Sequence, residues 1–391
     1  VPTVAFLALT LLQLVPFPGG PVTLAPEATR RGITFVVGFL LLHQAAAVAF
    51  SHRAARRRFR KMLAWLGAAL ALVALVQLAS GTRFIYGFFE SLEGGHPYGP
   101  FVNRNHFAGY MLLVLPISLG LLADAWRAYA RRVGDSANAR RSLVGLQTSE
   151  GTRLVYAALP PLVGIGALLA STSRGGILAF FAALALAAVG LRSRRGTPAW
   201  AAALVFAAVA LSWFGLDRLE VRFLRATDDA PGRTVVWGES LAAMRGSRWV
   251  TGYGYNAFAE ALSRVPAWTL PRGATPWPRE TETALLTGEA VGYRAPGDLP
   301  GLAWYREAHS DYVQLLVEAG LPGLLVGLWA AFSALAAARR DPWLFAALAG
   351  LLMHVFVDFD LQIPAIAALF VVLAALPRQG SRPASSDMLR R

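Results

Sequence analysis

Apolar runs close to membrane-spanning length, separated at alternate intervals by clusters of arginine, constrain this chain more than any other feature. A helix needs about 20 apolar residues to cross a roughly 30 Å hydrocarbon core. Ten segments approach that length: 3–17, 32–50, 62–79, 106–125, 154–172, 175–191, 198–216, 321–338, 342–358 and 362–376. They are apolar all round, whereas a helix on a soluble core keeps one polar face. Only 15% of the 391 residues are charged, against roughly 25% in soluble domains. The expected fold class is all-α: a polytopic transmembrane helical bundle of about ten spans with one large outer loop.

The net charge of +14 reads as topology and not as a nucleic-acid surface. Of the 37 basic residues, 21 lie in 51–61, 126–153, 192–195, 339–340 and the tail after Pro377. Alternation of the ten spans puts all five segments on one side, as the positive-inside bias requires of a cytoplasmic face. No basic stretch is interleaved with aromatics, so a single-strand nucleic-acid groove is excluded. The outer face then receives Pro18–Arg31, Ser80–Asn105, the tight turn Ser173–Gly175, the long loop 217–310 and Asp358–Gln362. The long loop holds 11 Arg and 11 acidic residues, and long loops escape the charge rule.

Four units follow: 1–216, N-terminal transmembrane helices; 217–310, an outer cap; 311–376, C-terminal transmembrane helices; and 377–391, a disordered cytoplasmic tail. Within the cap, short helices are expected over 234–244 and 256–263, with Arg233 near the start of the first. Ser310 is expected to cap a helix from Asp311 to Glu318, and Gly320-Leu321-Pro322-Gly323 to break it. There is no Cys, hence no disulfide or thiolate chemistry. The six His are scattered without zinc spacing, and neither a metal nor another cofactor is implied. The chain opens at Val1 without Met or a basic n-region, which reads as a chain lacking one or more leading helices.

Chemistry-capable residues gather on the outer face. Arg174 sits between two spans with almost no loop, and an ionisable group at that depth is a functional candidate by default; the alternative is an arginine snorkelling to the head groups. Arg233 places a guanidinium at a helix start, a geometry that binds anions, or else it pairs with a loop acid such as Glu239. His309 precedes a helix N-terminus, where added positive charge is disfavoured. It is a neutral base near pH 7 or a structural histidine. Asn103, Arg104, Asn105 and His106 open the fourth span with polar ligand contacts or interface anchors. His354, Asp358 and Asp360 mark the last outer turn; Asp358-Phe359-Asp360 mimics an Asp-x-Asp metal pattern, and a structural role is the favoured reading.

Taken together, Asn103-Arg104-Asn105-His106-Phe107-Ala108-Gly109-Tyr110, Ser173-Arg174-Gly175-Gly176, Gly252-Tyr253-Gly254 with Phe258, His309-Ser310 with Gly320, and His354 through Asp358-Phe359 resemble the O-antigen ligase and polymerase superfamily. The resemblance runs from about residue 30 to 376. It implies a bacterial inner-membrane glycosyltransferase with its active site facing the periplasm. Such an enzyme takes a glycan from undecaprenyl pyrophosphate and passes it to an acceptor hydroxyl on lipid A-core or a growing polysaccharide. It also implies that Arg174 and Arg233 hold the pyrophosphate and that His309 activates the acceptor. Where ligases carry small hydroxyl residues after the glycine, this chain has Leu321-Pro322-Gly323, so ligase and polymerase both stay open. The family has about twelve spans, and ten here fits a missing N-terminal pair.

The expected reaction is a metal-independent inverting transfer, with fixed arginines stabilising the charge of the departing pyrophosphate. Asp311 or Glu318 would orient the imidazole, and loop 217–310 would cover the sugar and exclude water. The expected partners are the lipid-linked donor, the acceptor and membrane lipids, with no nucleic acid. The rival is a transporter or flippase of lipid-linked sugars, which would place charges along a path at the bilayer midplane; here the spans are nearly free of charge.

Overall fold

The computed structural model describes residues 2–17, 20–82, 84–90, 97–133, 145–191, 233, 236–238, 240–259 and 307–376. Its helices are α1 (Pro2–Leu12), α2 (Pro26–Ala49), α3 (Arg53–Ser80), α4 (Arg104–Val133), α5 (Ser149–Ala170), α6 (Arg174–Leu191), α7 (Arg248–Thr251), α8 (Asp311–Ala338), α9 (Pro342–His354) and α10 (Pro364–Ala374). Two tiny antiparallel hairpins, Pro16–Phe17 with Gly20–Pro21 and Phe84–Ile85 with Phe89–Glu90, sit in turns.

Among the described residues, five helices are long and apolar enough to cross a membrane: α2, α3, α4 through Arg132, α5 and α8. Four shorter apolar helices accompany them, Pro2–Leu12, Arg174–Ala188, Pro342–His354 and Pro364–Ala374. Nine of the ten expected spans thus coincide with a described apolar helix, and five meet spanning length. Segment 198–216, most of loop 217–310 and the tail from 377 lie outside the described residues. Several helices overrun their expected ends: α4 continues into the arginine segment to Val133 and α2 starts at Pro26. Backbone hydrogen bonding does not stop where hydropathy does.

Local chemistry sets the ends. Pro26 and Pro342 open α2 and α9, where a missing N–H costs nothing. Thr148 and Asp341 cap α5 and α9 by accepting from Gly151 N and Leu344 N. Helix α4 is the buried axis. Phe107, Met111, Leu112, Leu113 and Leu115 are almost fully buried, and α3, α5, α6 and α9 pack around them. Helix α8 packs against α1, α7 and α9, and α10 against α2.

The break expected at Gly320 is present. Gly320 has φ 66 and ψ −175, splitting α8. Its Cα faces the Val250 carbonyl so closely that a Cβ would sit 2.5 Å from the oxygen. The end of α7 and the segment after it, Thr251 to Tyr255, fasten onto this break. Tyr253 N donates to Val317 O and Gly254 N to Glu318 O, both at 2.9 Å, while the Gln13 amide bridges Thr251 O and Glu318 O at 2.8 Å. The described part of the cap is therefore tied to α1 and α8.

Candidate active site

One turn, from His354 to Asp360, gathers most of the singled-out residues. It follows α9 and is clamped from beneath by α8. Asp311 N donates to Val355 O at 3.0 Å and to Asp358 O at 3.2 Å. The Asp311 carboxylate accepts from Leu361 N at 2.9 Å and the Gln362 amide at 3.1 Å. Asp311 is thus committed to shaping this turn.

Asp360 is fully buried and serves two imidazoles. His354 Nδ1 lies 2.5 Å from one carboxylate oxygen and His106 Nδ1 3.0 Å from the other. Burial works against its charge, yet the two imidazoles hold the carboxyl below its ordinary range. Gly109, one turn beyond His106, makes the approach possible: a Cβ there would fall 2.2 Å from Asp360 Oδ2. Asn103 Oδ1 accepts from Asn105 N at 2.9 Å and so turns the chain into α4. The polar opening of α4 therefore divides its labour, Asn103 shaping the turn and His106 reaching Asp360. Arg104 and Asn105 are half-buried beside them.

Arg174 is the first residue of α6 and half-buried. Its turn packs on the same hub, since a Cβ on Gly175 would lie 3.2 Å from His354 Nε2 and 3.1 Å from Val357 Cγ2. Gly176 abuts Ala108 of α4, and its N–H donates to Ser173 Oγ at 3.4 Å. Thr172 takes φ 54 to make the turn.

Arg233 reaches the hub from the cap. Its Nη2 lies 3.5 Å from Asp358 Oδ2. The Asp358 side chain is 2% exposed and that of Arg233 35%, so the guanidinium keeps an open side while one edge faces a buried carboxylate. Glu239 lies outside the described residues.

His309 sits across Phe359 from His106. The Phe359 ring meets His309 edge to face at 5.0 Å and His106 at 4.6 Å. Its backbone has φ 51, a left-handed conformation that concentrates at functional sites in non-glycine residues. Three anchors hold it there. Trp237 Nε1 donates to Ala308 O at 2.9 Å, Ala308 N donates to Gln314 Oε1 at 3.2 Å, and the Ser310 hydroxyl accepts from Val313 N at 3.4 Å. The cap expected at Ser310 is thus present. Burial pushes the His309 imidazole below its usual value; Asp358 pulls it up, and Arg233 and His106 press it down again. Burial, the largest of these causes, favours the neutral imidazole.

Of the acids offered to orient His309, Asp311 serves the hub turn and Glu318 serves the cap. Glu318 Oε2 accepts from Asn256 N at 2.9 Å and Oε1 from Phe258 N at 3.3 Å and Gln314 Nε2 at 3.2 Å. Asn256 itself is a turn residue at φ 61, so the helix expected from it begins after it. The acid whose charge raises the His309 imidazole is Asp358. The sequence singled out Asp358, Phe359 and Asp360 only as the last outer turn; their contacts with 106 and 309 depend on the fold, which brings 106, 309 and 354–360 together.

His106, Asp358 and Asp360 place one ligand atom each within 4.8 Å of one another, so this trio could hold a cation. The same carboxylates already face Arg233 and two imidazoles.

A family model described as O-antigen ligase matches residues 161–276. The matched stretch contains Arg174, Arg233 and Gly252-Tyr253-Gly254 and ends before His309. No curated protein matches.

Proposed function

The match over residues 161–276 supports membership of the O-antigen ligase superfamily, and from that premise we propose that this multi-pass membrane protein is a glycosyltransferase acting at the periplasmic face of the bacterial inner membrane. It transfers a glycan from undecaprenyl pyrophosphate to an acceptor hydroxyl on lipid A-core or a growing polysaccharide. In this reading ten spans cross the bilayer, residues 217–310 form the periplasmic cap, and 51–61 and 126–153 are cytoplasmic.

The observation that supports it best is the convergence on the turn 354–360. Arg233 faces Asp358, His309 packs on Phe359, and the turn carrying Arg174 abuts His354. Arg174 and Arg233 hold the pyrophosphate, whose oxygens match guanidinium forks. The acceptor oxygen bonds to the anomeric carbon as the carbon–oxygen bond to pyrophosphate breaks. The bonding pair leaves with the pyrophosphate, and the acceptor proton passes to His309. Attack opposite the leaving group inverts the anomeric centre. Asp358 faces Arg233, and its negative charge favours the protonated His309, so it steadies the imidazolium that forms. No metal is needed, because Asp360 is balanced by two imidazoles and the leaving-group charge is met by arginines.

The test is transfer by purified protein in proteoliposomes supplied with lipid-linked glycan and acceptor. Free undecaprenyl pyrophosphate should appear in step with acceptor glycosylation. Movement of intact donor across the bilayer without its release would replace this reading with a transporter.

A further inference from the structure

At the arginine-rich end of the bundle, a cavity of about 1290 Å³ opens between α3, α4, α5, α8 and α9. It is far from the hub. His106 and Arg131 lie near opposite ends of α4, roughly 37 Å apart along the helix axis. Ten basic side chains line the cavity, against the three acids Asp124, Glu150 and Asp341. Two of those acids face wall cations directly, Asp341 with Arg60 at 2.5 Å and Asp124 with Arg127 at 2.6 Å. A large positive surplus is left.

The positive-inside bias accounts for arginines at this end; it does not account for their forming the walls of a cavity between helices. The floor is different in kind. Ile117, Leu121, Pro160, Leu344 and Leu376 line it, giving apolar surface beneath a cationic mouth. Trp65 and Tyr156, 45% and 59% exposed, stand on the wall with ring centroids 6.4 Å apart, as aromatics do at a membrane interface. Two wall residues also carry buried donors without a partner among the described residues, Arg60 Nε and Trp343 Nε1.

We propose that this cavity is a binding site for an anionic phospholipid, its phosphates among the arginines and its acyl chains against the apolar floor. A cationic mouth alone would take any phosphate; the apolar floor and aromatic wall favour an amphiphile over a soluble anion. Basic pockets between helices on the cytoplasmic side recognise anionic head groups in this way. The proposal uses none of the hub residues and stands whether or not the transfer reaction does.

The experiment is native mass spectrometry of delipidated protein titrated with cardiolipin, with phosphatidylcholine, or with inorganic pyrophosphate. Cardiolipin should bind in preference to both. The triple variant Arg57→Gln, Arg131→Gln, Arg153→Gln removes exposed cations from three helices. Each cation near an anionic head group is worth about fivefold in affinity, so cardiolipin should bind roughly a hundredfold more weakly. Arg245→Gln, outside the cavity, should leave binding unchanged. Equal binding of phosphatidylcholine, equal binding of pyrophosphate, or an unaltered triple variant would each overturn the proposal. Should the triple variant fail to fold, cardiolipin with photoreactive tails on the unaltered protein decides. Labelling of 54–65, 117–131 or 149–160 supports the site, and labelling confined to other segments refutes it.

Discussion

At the scale of single residues, the proposed reaction divides the hub between holding the donor and moving the proton. His309→Ala should lower turnover by about 10²–10⁴-fold while donor binding stays nearly intact, as for loss of a general base. Arg174→Ala and Arg233→Ala should weaken donor binding as well, and lysine should rescue poorly because an ammonium lacks the bidentate fork. Direct binding of undecaprenyl pyrophosphate to each variant, beside its transfer rate, checks this; loss of binding in His309→Ala with normal binding in both arginine variants would reverse the roles. The pH profile follows from the depressed His309 imidazole. The base is active when neutral, so turnover should stay flat as pH falls past the usual imidazole value of about 6.5 and decline only below it. Asp358→Asn removes the charge that pulls the imidazole up and should move that acid limb lower still. An acid limb at or above the ordinary imidazole value would contradict the assignment. The same shift has a stability side: the native state disfavours protonation of His309, so its contribution is lost as pH falls from about 6.5 toward the lowered value. Activity should survive EDTA; loss on chelation with rescue by Mg²⁺ or Mn²⁺ would make His106, Asp358 and Asp360 metal ligands.

At the scale of elements, two glycines show what a sequence reading reaches and what it misses. Gly320 is legible: a glycine beside Pro322 at the head of an apolar run marks a break, and the break is there at φ 66. Gly109 is not legible, because it lies inside a helical apolar pattern where glycine only weakens a helix. Its reason is tertiary, the Asp360 carboxylate lying where a Cβ would go. Gly109→Ala should therefore cost about 1–3 kcal/mol through overpacking, lower the thermal midpoint, and reduce turnover by disturbing the turn that bears Asp358. A variant as stable and as active as the parent would show that Asp360 can sit elsewhere. Helix-start chemistry explains the same divide. The Ser310 cap could be read from neighbouring residues, whereas nothing local shows that Glu318, offered beside Asp311 as an acid to orient His309, holds the Asn256 and Phe258 amides of a segment some 60 residues earlier.

At the scale of the whole molecule, the two ends of the bundle have opposite chemistry, and each end has its own physical cause. The arginine-rich end was legible because charge bias acts through composition, which needs no tertiary information. The hub end was legible only as a group of polar outer segments. Which of them meet depends on helix packing around α4, and that packing is written in small residues such as Ala108 and Gly176 whose contact no spacing rule predicts. Helix α4 runs from Asn103-Arg104-Asn105-His106 at the hub to Arg131 and Arg132 at the basic end, so its direction fixes both faces at once. If the basic end is cytoplasmic, residue 136, just past α4, faces the cytoplasm, and residue 275, in the long loop, faces the periplasm. The chain has no cysteine of its own, so Ser136→Cys and Thr275→Cys can each be probed in intact cells with a thiol reagent that does not cross the inner membrane. Position 275 should label from outside, and position 136 only after the membrane is opened. The reverse pattern would invert the molecule and place Arg174, Arg233 and His309 in the cytoplasm. A periplasmic transfer reaction would then be impossible at this site, however well its side chains converge.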